Sequence, residues 1–164
     1  MKSPSNTNLK DIYQGKALDL LNKLVKTSNE RISGYETAST ETDEKEMQSA
    51  FADFKQSSLQ CRQELVNEII SLGGTSSNKP NLSGKIFRAW MDIKAALTGR
   101  DLGPILDSCT TLDEAAIGQY QKVLKNRTDI LSTKQHSMIN AHSALLKADH
   151  TRLVFMRNAA LITN

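Results

Sequence analysis

Along most of the chain an apolar residue returns every three or four positions, the spacing of a helix with one buried face. Leu18, Leu21, Val25, Ile32 and Tyr35 form the first such stripe, with Ser28 in the same row. They predict a helix that follows a polar, Ser/Asn/Thr-rich tail over residues 1–8. Thr42, followed by Asp43, Glu44 and Glu46, puts a capping residue and acids where a helix N-terminus favours them, so a second helix starts there. Its stripe reads Met47, Phe51, Phe54, Ser58, Cys61, Leu65, Ile69 and Leu72, and Gly73-Gly74 ends it.

The Ser, Asn and Pro residues of 75–81 predict a loop. Ser83 can then cap a shorter helix with Ile86, Ala89, Trp90, Ile93 and Leu97 at its apolar positions, closing at Gly99. Asp101 opens a third long helix with Cys109, Asp113, Ala116, Tyr120 and Leu124 in one stripe. After residues 125–128, a fourth runs through Leu131, Gln135, Met138, His142 and Leu145 and past Val154. No segment alternates with period two for long enough to suggest a sheet. The expected fold is all-α. Four long helices form a bundle, with a short extra helix in the long connection between the second and third. The expected organisation is a flexible tail over 1–8 and one domain over 9–164.

Composition adds exclusions. The 21 basic and 18 acidic residues are mixed along the chain and leave a net charge of only +3, which argues against nucleic acid as a partner. No apolar run reaches the ~20 residues of a membrane span, and residues 1–9 lack a signal-like apolar core, so a cytoplasmic protein is expected. Cys61 and Cys109 match no metal-ligand spacing and read as buried, reduced thiols.

The informative residues are polar ones in the apolar stripes. A seven-residue step drifts a helix by only ~20°, so Asp113 shares an inward face with Tyr120, and Gln135 with His142. These four, with Glu36 and Glu64 as additions, could form a small mid-bundle site, or they could hydrogen-bond one another and fix helix register. A di-iron bundle needs Glu-x-x-His on two helices. Here the third residue after Glu44, Glu64, Glu68 and Glu114 is Met47, Asn67, Ser71 and Ile117. His136 and His142 lie about 240° apart around their helix, too far to share an ion. Asp113, Gln135 and His142 remain the metal candidates, suited to a weakly bound divalent ion. No nucleophile elbow, phosphate loop or H-E-x-x-H helix is present.

The run from Phe87 to Gly99, Phe-Arg-Ala-Trp-Met-Asp-Ile-Lys-Ala-Ala-Leu-Thr-Gly, resembles a bacterial ferritin-like four-helix-bundle family, domain of unknown function 2383. So do Ile105-Leu106-x-x-Cys109 and Tyr120, the helix ending from Glu64 and Leu65 to Gly73-Gly74, and Gly34-Tyr35 with Ala38. The chain departs from the family pattern at Leu112-Asp113-Glu114, where Gly-Glu-Asp is usual and the inward Glu is shortened to Asp113. The resemblance implies the fold and a loose association with stress responses, but no activity.

The reading that follows is a non-catalytic, stress-related helical-bundle protein with no resident cofactor, assembled as a homodimer. A metal-binding or oxidoreductase-like ferritin relative using Asp113, Gln135 and His142 is the alternative. A third is an interaction module that presents Phe87 and Trp90 to a partner.

Overall fold

The computed structural model describes residues 4–76, 102–126 and 129–162. It contains four long helices: α1 (Pro4–Thr40), α2 (Lys45–Ser71), α3 (Leu102–Asn126) and α4 (Thr133–Ile162). No strand occurs among the described residues. The extra helix expected after Ser83, with Trp90 and Phe87, lies outside them.

Two boundaries differ from expectation. α1 begins at Pro4, so helix covers residues 4–8 where a tail was expected. Proline suits a first helical turn, because its fixed φ matches and its missing N–H was unpaired there anyway. α2 begins at Lys45, with Glu44 rather than Thr42 at the N-cap. Thr42 sits just outside as a turn residue: its Oγ1 accepts from the Glu44 N–H at 3.2 Å, and its carbonyl accepts from Gln48 Nε2 at 2.7 Å.

The Gly73-Gly74 stop works as expected. Gly73 has φ +78°, a conformation costly for any residue with a Cβ. Its N–H reaches the Ile70 carbonyl at 2.9 Å, and the Gly74 N–H reaches that of Ile69 at 3.0 Å, which closes the helix with two of its last carbonyls paired. A Cβ at Gly74 would lie 2.6 Å from a Leu18 methyl of α1, which would have to shift.

Two apolar clusters set the topology. One joins Leu20, Leu21, Leu24 and Val25 of α1 to Cys61, Leu65 and Ile69, to Ala116, Tyr120 and Val123, and to Leu131, Ile139 and Leu146. The other joins Tyr35 and Ala38 to Met47, Phe51 and Phe54, to Ile105, Leu106, Cys109 and Leu112, and to Leu153. Each helix enters both clusters. α1 and α4 run from the first to the second, whereas α2 and α3 run from the second to the first. α2 and α3 are therefore parallel, and the helices run up-down-down-up. α1 packs most extensively on α2 and α3 on α4.

Candidate functional site

Between the two clusters the core turns polar. On α1, Ser28 and Arg31 fall between Val25 and Tyr35; on α2, Ser58 falls between Phe54 and Cys61. On α3, Asp113 falls between Leu112 and Ala116, and on α4, Asp149 falls between Leu146 and Leu153. All four helices thus contribute a polar group to one cross-section of the bundle.

Arg31 organises that layer. It is fully buried. Its Nε donates to Asp113 Oδ1 at 2.8 Å, Nη1 to the Phe54 carbonyl at 2.9 Å and to Ser58 Oγ at 2.8 Å, and Nη2 to Asp149 Oδ2 at 3.1 Å. The Tyr35 hydroxyl adds a 2.8 Å bond to Asp113 Oδ1, and the guanidinium lies 4.9 Å from the Tyr35 ring centre. Burial works against the Arg31 charge, but Asp113 and Asp149 hold its pKa above the ordinary value. Burial raises Asp149, with Arg31 and Ser57 opposing. Burial, and then Asp113, pushes Tyr35 well up, so its hydroxyl stays protonated and donates. Two polar atoms remain outside this network. Asp113 Oδ2 and His150 Nδ1 are buried without a hydrogen-bond partner and lie 3.6 Å apart.

A second polar group lies inside the first apolar cluster. His142 Nε2 is 2.8 Å from Glu64 Oε2, and its Nδ1 is 3.5 Å from the Tyr120 hydroxyl, whose neighbours include Ser28 and Cys61. The His142 hydrogen bond holds Glu64 below the usual carboxylate range. Burial drives Tyr120 up, so this phenol too is neutral. The third group caps α4. Ser132 Oγ accepts from the Gln135 N–H at 3.1 Å, and Gln135 Oε1 accepts from the Ser132 N–H at 3.0 Å, a reciprocal capping box. Gln135 Nε2 then reaches across to Glu68 Oε1 of α2 at 3.0 Å, while Lys134 Nζ meets Glu68 Oε2 at 3.2 Å.

Asp113, Tyr120, Gln135 and His142 are all buried, as their heptad spacing predicts. They do not form one site. Asp113 belongs to the Arg31 layer, Tyr120 and His142 to the Glu64 group, and Gln135 to the α4 cap. Glu36 points outward and pairs with Lys55 at 2.8 Å, because it lies one residue, about 100°, past the inward Tyr35. Glu64 reaches its histidine from a half-exposed position. Among the described residues, no group of three or more His, Cys, Asp or Glu side chains is placed to hold a metal ion. Sequence reasoning missed Arg31 and Asp149. Both were findable: Leu21, Leu24, Ser28, Arg31, Tyr35 and Ala38 step by three and four, and Asp149 continues the 135, 142 heptad.

Cys61 and Cys109 are buried free thiols. Burial pushes Cys61 up to about 12 and Cys109 well above its ordinary value. No described helix is long and apolar enough to cross a membrane.

Comparison with known proteins agrees with the architecture. Over 90% of its length the chain superimposes on 98% of a mutant Dps1 from Mycobacterium smegmatis, with a TM-score of 0.76 at 12% identity. It also matches 90% of the dodecameric thioferritin, a bacterioferritin-related protein, of Bacteroides fragilis, with a TM-score of 0.53 at 17% identity and 89% of this chain covered. At such identities the likeness is one of fold alone: a ferritin-like four-helix bundle. No curated protein matches by sequence. The family described as Domain of unknown function (DUF2383) matches residues 16–126, more than half of the chain, and the protein belongs to that family.

Proposed function

We propose that this chain is a non-catalytic helical-bundle protein in which an internal arginine, not a metal ion, balances the carboxylates at the centre of a ferritin-like fold. One observation carries the reading: Arg31 spends its donors on Asp113, Asp149, Ser58 and the Phe54 carbonyl, with its side chain out of solvent. A guanidinium among the acceptors of a bundle centre repels a divalent ion. Asp113, Gln135 and His142, the donors the metal-binding alternative would use, serve three separate sets of partners, which weighs against that alternative. The same polar layer gives the bundle a defined register, since a shift of any helix would take a partner from the buried arginine.

No resident cofactor is part of this reading. The homodimer and the cytoplasmic location belong to it too. The thioferritin neighbour is dodecameric, which supports self-association of this fold. A stress-linked role draws its support from the family resemblance. Elemental analysis of the purified protein tests the reading. Iron, manganese and zinc should be far below one per chain; near-stoichiometric metal, lost in His142→Ala, would promote the alternative.

A further inference from the structure

Tyr120 is fully buried, yet its hydroxyl stands at the inner end of a polar row that reaches solvent. Its oxygen is 3.5 Å from His142 Nδ1, His142 Nε2 is 2.8 Å from Glu64 Oε2, and the Glu64 side chain is 43% exposed. The order of the three sets where the protons sit. A neutral imidazole has one donor and one acceptor nitrogen. Glu64 is held below the usual carboxylate range, first by its bond to His142, so it is ionised at neutral pH and only accepts. His142 therefore carries its proton on Nε2 and turns the lone pair of Nδ1 to the phenol. The hydroxyl also neighbours Ser28, an alcohol, and Cys61, a thiol that burial pushes up to about 12. Of the three, only His142 is a base.

We infer that Tyr120 and His142 form a proton-coupled redox pair, at which a small one-electron oxidant radical takes an electron from the buried phenol. The oxidant gains the electron and is reduced to its anion. The O–H bond of Tyr120 breaks, and its proton forms an N–H bond at His142 Nδ1. The products are a neutral phenoxyl radical and an imidazolium whose charge faces Glu64. Without that base the step stalls. Burial raises Tyr120, so no phenolate forms beforehand, and a phenol that lost only its electron would be a bare charge in an apolar core. Tyr35 shows the contrast. Its hydroxyl has a shorter bond, 2.8 Å to Asp113, but that carboxylate is already paired with Arg31. The guanidinium also lies 4.9 Å from the Tyr35 ring centre, where its charge opposes removal of an electron. The Tyr120 pair shares no residue with the Arg31 layer, so the inference goes beyond the structural role proposed above and does not depend on it.

The test uses the full chain carrying Tyr13→Phe and Trp90→Phe, which removes a phenol that is 45% exposed and an indole that would compete for oxidation. The azide radical, made by a radiolysis pulse, is the oxidant, and phenoxyl absorption is followed in time. This parent chain should form phenoxyl, and more slowly in heavy water, because a proton moves with the electron. Adding Tyr120→Phe should remove most of the signal, and adding Tyr35→Phe should leave it. His142→Gln keeps a polar partner but no base and should slow phenoxyl formation at Tyr120. Glu64→Gln alters a half-exposed side chain and should slow it in part, because the imidazolium loses its counter-charge. A phenoxyl signal undiminished by Tyr120→Phe, or a rate in folded His142→Gln equal to that of the parent, overturns the inference. If His142→Gln does not fold, Glu64→Gln and heavy water decide: a rate that neither changes overturns it as well.

Discussion

The Arg31 guanidinium and the Asp113 carboxylate meet at 2.8 Å, 82 residues apart in the chain, with both side chains excluded from solvent. Removing one partner of such a pair leaves a buried charge uncompensated, which costs ~3–5 kcal/mol. Asp113→Ala should therefore lower the denaturant midpoint strongly. Arg31→Met/Asp113→Leu should lose less than the sum of its single variants, because it removes both charges and replaces them with apolar bulk. An unchanged midpoint in Asp113→Ala would show that the pair does not hold α1 to α3.

His142 pairs with Glu64 and Tyr120, so His142→Ala takes one partner from each of those two, and none from Asp113 or Gln135. The Glu64 pKa is lowered from 4.5, chiefly by the His142 hydrogen bond. A lowered carboxylate value contributes stability that is present above about pH 4.5 and lost as pH falls through the folded value. The gap in stability between native protein and His142→Ala should thus narrow on acidification. Asp149 acts with the opposite sign: burial raises it, so it weighs against stability above its folded value and ceases to do so below it. Carboxylate NMR separates the two, since the Glu64 titration should move up in His142→Ala while that of Asp149 stays. A Glu64 titration that does not move would contradict the assignment.

Both thiols should be inert in the native state. Burial raises Cys61 to about 12 and Cys109 well above its ordinary value, which leaves almost no thiolate at neutral pH. A thiol reagent should label neither until the protein is unfolded. Fast native labelling of either would show that its helix seam opens.

The helix ends offer a surface test. Ser132→Ala breaks half of the α4 capping box and should cost ~1 kcal/mol. Gly73→Ala should cost about as much, because its φ of +78° is strained for alanine. Gly74→Ala should also destabilise, since the added Cβ must displace Leu18. Thermal unfolding reads all three. A Gly73→Ala variant as stable as the native chain would contradict the termination described for α2.

The architecture was legible in the sequence because apolar spacing and the Gly73-Gly74 stop act locally, within a turn or two. Inwardness was legible for the same reason: Asp113 and Tyr120, or Gln135 and His142, lie seven apart on one helix. Partnership was not. Whether Asp113 meets His142 or Arg31 depends on the relative height of different helices, which no single helix encodes. Arg31 went unread because a long basic side chain in an apolar row is commonly taken as one that reaches out to water. Here its neighbours Ser28 and Tyr35 are buried on the same stripe, and Ser58, Asp113 and Asp149 arrive from three other helices at its level.

The central claim, that an internal arginine takes the place of a metal ion, is tested most directly by thermal unfolding of the native protein with chelator and then with iron, manganese or zinc. An ion that binds only the folded state raises the unfolding temperature by mass action. The melting temperature should be the same in chelator as in each ion. A saturable rise with one of them, abolished by Asp113→Asn, would contradict the account.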